Sequence, residues 1–162
     1  MRNTQLRPIA TALLLCLSAV SLAEPLPAAL KGSWRITQVL PTTNDGCWKK
    51  ERAQPLVGTL LTYRPGSMSW RGGVVRVQEV TLREVTNAEF RKENPGAAGP
   101  ADFAQLGITA AAVQEVDLQH EDADITGVST EVPGDSILLV SPARIVVSAC
   151  GVYMEARRVA SK

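Results

Sequence analysis

Histidine, cysteine and aromatic residues are scarce in this sequence, and their scarcity limits the chemistry that the chain can perform. Its 162 residues include one histidine, and Phe, Trp and Tyr together make up 4%. So few rings leave little material for a surface on which nucleobases could stack. Motifs of the type Gly-x-Ser-x-Gly, His-Glu-x-x-His and the phosphate-binding loop do not occur. We therefore expect no catalytic residues and no cofactor, and we predict that the protein is not an enzyme.

A strong excess of charge of either sign is also missing. The chain has 17 Lys and Arg against 16 Asp and Glu. A near-neutral chain lacks the electrostatic footprint that binds nucleic acids or anionic membranes. After the amino-terminal segment, no run of about 18 apolar residues could form a membrane-spanning helix. We expect no nucleic acid partner and no membrane span.

The first 23 residues have the pattern of a secretory signal peptide. Arg2 and Arg7 give a positive start, residues 9–22 are apolar, and residues 21–23 place Ser and Ala at the cleavage positions before Glu24. This pattern predicts a signal peptide over residues 1–23 and one mature domain over residues 24–162. We expect the mature domain to be exported, either to a periplasm or out of the cell.

Two of the three cysteines, Cys47 and Cys150, lie in the mature domain. Cys16 leaves with the signal peptide; a lipid anchor on it is disfavoured because Leu15, rather than a small residue, precedes it. An exported domain folds where disulfides persist, so the remaining pair predicts a Cys47–Cys150 bond. A redox or metal-binding pair is the alternative, although no Cys-x-x-Cys motif is present.

Short apolar and alternating runs predict eight or nine β-strands. A Pro65-Gly66 turn joins two of them, and a slip in the apolar phase predicts a bulge near residues 78–79. Consecutive strands with short connections pair as an antiparallel meander, and a long meander closes into a barrel because closure removes the sheet edges. The predicted strands are 33–40, 55–64, 68–71, 74–85, 111–120, 136–140, 144–149 and 152–159, with a ninth possible over 125–129.

A short helical insertion interrupts the strands in the middle of the chain. Thr86 and Glu89 form a capping-box pattern, which predicts a helix to about Glu93. Pro100 can begin a second short helix that ends at Gly107. Residues 41–54 read as a turn-rich loop.

The start of the first strand, Gly32-Ser33-Trp34, resembles the opening motif of the lipocalin and wider calycin barrels. In that family the Trp closes one end of the barrel and packs under an Arg from near the end of the fold. Arg157 and Arg158 are both in position to match, and strand alternation favours Arg158 because it shares a face with apolar residues. The resemblance implies a mainly β, single antiparallel eight-stranded barrel similar to small bacterial secreted lipocalin-like proteins, with Trp34 and Arg158 as its structural base.

Three further groups of residues are candidate sites. Trp48 and Trp70 could line a ligand pocket, or else serve as packing residues. His120, Asp122 and Asp124 could hold a divalent cation, or else form a solvated acidic loop. Residues 134–136, Gly-Asp-Ser, resemble the nucleophile block of a secreted esterase family, but no histidine follows them, so a hairpin turn is the expected structure.

Two functions fit these observations. The first is an exported, monomeric binding module that holds a small, mostly apolar ligand in the barrel mouth. The second is an inhibitor or protein partner of a secreted or periplasmic hydrolase, acting through its loops. An open interior would favour the ligand. A filled interior with a projecting segment, 33–54 or 86–110, would favour the protein partner.

Overall fold

A computed structural model describes residues 25–42, 49–96, 98–120 and 133–160 and contains one closed β-barrel. Every strand pairs antiparallel with its neighbours in the chain, and the first strand closes the barrel against the last. This confirms the predicted mainly β, eight-stranded antiparallel barrel. The strands are β1 (Gly32–Val39), β2 (Leu60–Arg64), β3 (Ser67–Trp70), β4 (Gly73–Thr86), β5 (Ala112–His120), β6 (Ser136–Ser141), β7 (Arg144–Ala149) and β8 (Val152–Arg158).

The strand register shifts at three places. The shift in β6 lies between Leu139 and Ser141, and two bulges in earlier strands affect which side chains face the interior. One lies in β4 between Val77 and Glu79, where the sequence predicted it. The other lies in β1 between Ile36 and Gln38 and was not predicted. Because of this second bulge, Leu40 joins the apolar cluster outside the barrel, whereas Ile36 belongs to the interior cluster. Regular strand alternation would place both on one face, so alternation alone does not predict their positions.

The prediction of a strand over residues 55–64 was wrong in its first half. Residues Lys50–Ala53 form helix α1, residues Gln54–Leu56 form a 3-10 helix, and β2 begins only at Leu60. Pro55 lies in the first turn of the 3-10 helix, where its missing N–H costs nothing. Ala53 and Leu56 are buried, so this segment gains apolar burial without strand pairing.

The predicted capping box is present at the start of helix α2 (Asn87–Glu93). The Thr86 N–H donates to the Glu89 carboxylate over 2.8 Å, and the Glu89 N–H donates to the Thr86 hydroxyl over 3.3 Å. The second predicted helix, from Pro100 to Gly107, does not form. Residues 103–107 make turns instead. The possible strand over 125–129 falls outside the described residues.

The barrel interior is packed with apolar side chains, and both of its ends are covered. Leu26 and Leu30, which precede β1, pack against the interior at one end. Ala53 and Leu56, which follow β1 in the chain, pack against it at the opposite end. The largest fully buried side chains within the strands are Trp34, Ile36, Leu61, Tyr63, Met68, Ile137, Ile145 and Met154.

A second apolar cluster lies on the outside of the barrel. Helix α2 and residues 98–108 contribute Phe90, Phe103 and Leu106, which pack on outward-facing residues of the later strands. The Phe90 ring is 5.5 Å from Phe103 and 5.7 Å from Tyr153 between centroids. The insertion therefore lies flat on the outer wall instead of projecting from it. The strand residues of this cluster are Val85, Val113, Leu138, Val146 and Tyr153.

The contact between Gly134 and Tyr63 generates a test of the interior packing. The Tyr63 hydroxyl donates to the Gly134 carbonyl over 3.1 Å, and a Cβ at Gly134 would overlap that hydroxyl. Gly66 also has a positive φ, but nothing lies within 4 Å of its added Cβ. We predict that Gly66→Ala lowers the free energy of unfolding by about 1 kcal/mol through backbone strain. Gly134→Ala should lower it by about 1–3 kcal/mol more through overpacking.

Urea unfolding of both variants measures this difference. Tyr63→Phe removes the overlapping oxygen, so it should recover part of the loss caused by Gly134→Ala and none of the loss caused by Gly66→Ala. Equal losses for the two glycine variants would contradict the packing described for this corner of the interior.

Candidate functional site

The outer wall of the barrel has a covered half and an uncovered half. The insertion over residues 87–111 packs on the second half of β4 and on β5 to β8. No described segment packs in the same way on the outward-facing residues of β1, β2, β3 and the beginning of β4. Two large apolar side chains, Leu60 and Val74, are 40% and 64% exposed on that uncovered half. We call this surface the open wall.

A concavity of about 510 Å³ lies on the open wall. Its volume falls within the range that is typical of ligand-binding clefts. It is open to solvent, and its lining mixes apolar side chains, hydroxyl groups and two guanidinium groups. The lining residues are Arg35, Gly58, Thr59, Leu60, Thr62, Ser69, Trp70, Arg71, Gly72 and Val74.

Two arginines of this concavity are held in place by the wall itself. Arg35 donates from Nη1 to the Gly58 carbonyl over 2.9 Å. The Arg71 guanidinium carbon lies 5.4 Å from the centroid of the Trp70 ring, which is a cation–π arrangement. Trp70 is fixed in turn, because its indole N–H donates to the Thr59 hydroxyl over 3.1 Å. Both cations are therefore positioned before any partner arrives.

The open wall carries positive charge only. Residues 31–42 and 58–78, which contain its strands, include no Asp or Glu. Among the described residues, no carboxylate pairs with any of the basic side chains of these two ranges. These basic residues, all of them exposed, are Lys31, Arg35, Arg64, Arg71 and Arg76.

On the covered half, Arg83, Arg91, Arg144 and Arg157 each lie next to a carboxylate. Arg83 binds Glu93 and Glu115 together, and these contacts raise the pKa of its guanidinium. Burial raises the pKa of the Glu115 carboxyl, and the negative charge of Asp117 raises it further. Arg83 thereby ties helix α2, through Glu93, to the barrel wall.

Arg144 makes a similar attachment at the other end of the insertion. Its Nε donates to Glu155 over 2.6 Å, and its two terminal nitrogens donate to the carbonyls of Leu106 (2.5 Å) and Gly107 (3.1 Å). Burial of Glu155 opposes its ionisation, but Arg144 and Arg157 outweigh that effect and lower the pKa of its carboxyl. The arginines of the covered half are thus structural clamps.

The structure brings Trp34 and Arg158 together. The Arg158 guanidinium carbon lies 4.1 Å from the centroid of the Trp34 ring. Arg158 also donates to the carbonyls of Pro142 and Lys31, each over 2.7 Å, and to that of Ala29. Gly32 lies close beside this group, since a Cβ there would approach Arg158 to 3.0 Å. Arg157 lies on the opposite face and contacts Glu155 over 2.6 Å.

The remaining candidate residues are only partly described. Trp70 is a buried strand residue, 3% exposed, whose edge reaches the concavity. Cys150 occupies the turn between β7 and β8 and packs against the interior cluster. Four predicted site residues, Cys47, Trp48, Asp122 and Asp124, lie outside the described residues.

His120 lies beside Asp135 at the end of β5. Its Nε2 is 3.1 Å from the Asp135 carboxylate, and its side chain is 9% exposed. Among the described residues, no group of three or more His, Cys, Asp and Glu side chains could hold a metal ion. Because Asp122 and Asp124 are not described, the cation site at His120 stays a prediction. Residues 133–135 form a turn and a bend directly before β6, and Ser136 is the first residue of that strand.

Sequence reasoning missed the open wall. Leu60, Arg71 and Val74 were not singled out, because each is ordinary in its local strand or turn. The available signal was the absence of acidic residues over 58–78, a stretch of 21 residues that includes three arginines.

Comparison with known proteins finds no matching family model, no matching curated protein and no matching solved structure. The eight-stranded antiparallel barrel is compatible with a lipocalin-like fold. In the part of the chain that the structure describes, no helix is long and apolar enough to cross a membrane.

The contact between Trp34 and Arg158 predicts coupled stability at this end of the barrel. Trp34→Ala should lower the free energy of unfolding by about 3–5 kcal/mol, because it empties a fully buried site. Arg158→Ala should have a smaller effect. A double-mutant cycle measured by urea unfolding should give a coupling energy of at least about 0.5 kcal/mol. Either single substitution already removes the contact between Trp34 and Arg158, so the two effects should not add.

Arg157→Ala serves as the matched control, since Arg157 neighbours Arg158 in the chain but faces the other side of the strand. It should show no coupling with Trp34→Ala. Coupling of equal size for both arginines would mean that the cycle reports general loss of stability and not the stacked pair.

Proposed function

We propose that this protein is an exported, non-enzymatic β-barrel that acts by binding another protein on its outer surface. The observation that carries this proposal is the contrast between a packed interior and an exposed outer concavity. Interior side chains fill the barrel and residues from both flanking segments cover its ends. The open wall, in contrast, presents exposed apolar and cationic side chains together.

The alternative, a small apolar ligand in the barrel mouth, receives less support from the described residues. Ala53 and Leu56 occupy the end of the barrel at which β1 finishes, and Val57 packs beside them. An apolar ligand would have to displace these residues to reach the interior. The concavity of about 510 Å³ and a second one of about 370 Å³ both lie on the outer surface of the barrel, and arginine lines part of each.

The route by which a protein partner would bind differs from the sequence-based expectation of projecting loops. Residues 86–110 include the insertion that packs on the outer wall through Phe90 and Phe103. Residues 33–39 are strand, and residues 50–56 cover the barrel end. The strand surface of β1 to β4 is therefore better supported as a contact surface than either segment. A secreted or periplasmic hydrolase remains the proposed class of partner.

The lipocalin-like relationship is part of the same proposal. Its support is the eight-stranded meander together with the Gly32–Trp34 opening and the Arg158 contact. Membership of the calycin group, and of its small bacterial secreted proteins, is proposed on these features.

The proposed absence of catalysis has its own support. The single histidine of the chain contacts Asp135 and is almost buried, so its ring is poorly placed to reach a substrate. A general base needs to come within hydrogen-bond distance of the proton that it removes.

If the protein is exported as proposed, its mature form has a defined amino terminus and one disulfide bond. The exported protein should begin at or near Glu24 and contain one Cys47–Cys150 bond, because removal of residues 1–23 leaves only these two cysteines. Intact mass of the purified exported protein before and after reduction measures both features. Two free thiols, or retention of residues 1–23, in protein recovered from outside the cytoplasm would contradict this prediction.

The choice between a protein and a small ligand is testable by native mass spectrometry of the exported protein, isolated under mild conditions after chemical cross-linking. We predict a complex with one defined protein, identified by peptide sequencing, and no small molecule bound to the free barrel. A retained apolar molecule without any protein complex would instead support the ligand hypothesis and overturn the proposed function.

A further inference from the structure

We infer that the open wall binds an acidic segment of the partner protein, with an apolar side chain of that segment seated between Leu60 and Val74. This inference rests on the proposed function and adds the location of the binding surface and the chemistry of the partner. It follows from three features of the wall: the sign of its charge, its exposed apolar residues and the kind of cation that it uses.

The positive charge of the open wall favours a negatively charged partner. Arg35 and Arg71 line the concavity. Lys31 and Arg64 line the neighbouring concavity of about 370 Å³, and Arg76 lies across Ser67 from Arg64. No acidic residue within 31–42 or 58–78 balances these five cations. Five carboxylates elsewhere on the described surface are held in ion pairs of their own: those of Glu93, Asp102, Glu115, Asp135 and Glu155. The exposed acid nearest to the wall in the chain is Glu79, which follows the acid-free range on β4. Like charges gathered without partners repel one another, and an acidic ligand relieves that repulsion.

The exposed apolar residues of the wall favour a ligand that carries an apolar group as well as negative charge. Leu60 and Val74 are the exposed large hydrophobic residues of the described surface, and both line the same concavity. Burial of apolar area on binding supplies affinity that charge alone does not, at roughly 25 cal/mol per Å². The hydroxyl groups of Thr62 and Ser69 lie in the same lining and can hydrogen-bond to carboxylate or peptide groups.

The cations favour a protein over a membrane or a nucleic acid. Four of the five are arginine, which is enriched in protein–protein interfaces, whereas lysine is depleted there. The guanidinium of Arg71 is stacked on Trp70, so that face of the ring is not free for a nucleobase. A concave site with apolar residues at its centre also suits a side chain better than it suits a flat headgroup surface.

The chain itself contains one competing occupant. Residues 121–132 include four acidic residues and no basic residue, and they follow His120, which pairs with Val77 of β4. A test of the open wall therefore has to separate a partner's acidic segment from this one.

The probe is a fluorescent peptide, acetyl-Asp-Glu-Leu-Glu-Val-Asp-Glu-amide, titrated into the mature, oxidised protein at 0.15 M salt. A second peptide replaces Leu and Val by Ser, and a third replaces every acid by Lys. Fluorescence anisotropy measures affinity, and amide chemical shifts in 15N-labelled protein locate the contact. We expect binding of the first peptide at or below about 1 mM, about tenfold weaker binding of the second and none of the third.

Each protein variant removes or reverses one positive charge. Arg71→Glu should weaken binding of the first peptide about tenfold, and Arg35→Gln should weaken it several-fold while retaining a donor for the Gly58 carbonyl. Lys92→Glu is the matched control, because Lys92 is an exposed cation on α2, over the covered half. At this salt concentration the screening length is about 8 Å, so Lys92→Glu should change the affinity less than twofold. Urea unfolding checks that each variant is folded.

Four outcomes would overturn the inference. The first is the absence of shifts at Gly58, Thr62, Ser69 and Gly72 at the highest peptide concentration. The second is equal binding of the peptides with and without Leu and Val. The third is tighter binding of phosphatidylglycerol vesicles or a single-stranded oligonucleotide, with loss in Arg71→Glu. The fourth is binding only after Glu121, Asp122, Asp124 and Glu131 are changed to their amides, which would assign the wall to the chain's own acidic segment.

The failure of this inference and the failure of the proposed function are distinguishable. If the cross-linked protein complex forms equally well with Arg71→Glu, the protein has a protein partner but the partner binds elsewhere. If no complex forms with the unchanged protein, the proposed function itself is wrong. Loss of the complex in Arg71→Glu, with retention in Lys92→Glu, supports both.

Discussion

Pairing of β1 with β8 turns the strand meander into a closed wall, and a wall of eight strands leaves an interior that either side chains fill or one small ligand occupies. Here Trp34, Tyr63 and Met154 occupy that space, and the segments that flank β1 cover both ends. Since apolar side chains pack this interior, the function proposed above places the binding surface on the outside of the barrel. Closure also pairs the strand edges, so a partner cannot add a strand of its own to a free edge. The proposed recognition then depends on side chains of the outer wall.

Arginine serves three purposes in this barrel, and its surroundings decide which. Arg158 stacks on Trp34 and binds carbonyls at the end of the barrel. Arg83 and Arg144 join the helical insertion to the wall through carboxylates and carbonyls. Arg35 and Arg71 have no carboxylate partner among the described residues and face solvent. The planar guanidinium suits all three settings because it can stack on a ring and donate several hydrogen bonds at once.

The covered and open halves of the wall have opposite effects on stability. On the covered half, aromatic packing of Phe90 on Phe103 and Tyr153 removes apolar area from water. On the open wall, Leu60 and Val74 stay exposed to water and so add little to the stability of the isolated barrel. The cations there have no carboxylate partner among the described residues and repel one another. Features that do not stabilise the isolated fold are a common mark of a surface used for binding.

Local signals made much of the fold predictable. The Pro65-Gly66 turn, the Thr86–Glu89 capping box and the bulge at residues 78–79 each depend on neighbouring residues, and each is present. The helical turns at 50–56 were not predictable in this way, because Ala53 and Leu56 are stabilised by the barrel end on which they pack. The position of Leu40 was not predictable for a related reason: the bulge between Ile36 and Gln38 leaves no clear trace in the apolar pattern.

The open wall could not be predicted from the composition, because a near-zero total charge hides how the charges are distributed. The acid-free stretch over 58–78 is visible in the sequence, but its meaning depends on the barrel. Strand alternation sends Tyr63 and Met68 inward and leaves Arg64 and Ser69 outside, and pairing of β1 with β2 then brings Arg35 to the same surface. A charge cluster that spans several strands exists only once the strands are in register. The register that fills the interior is therefore also what gathers the cations of the outer wall.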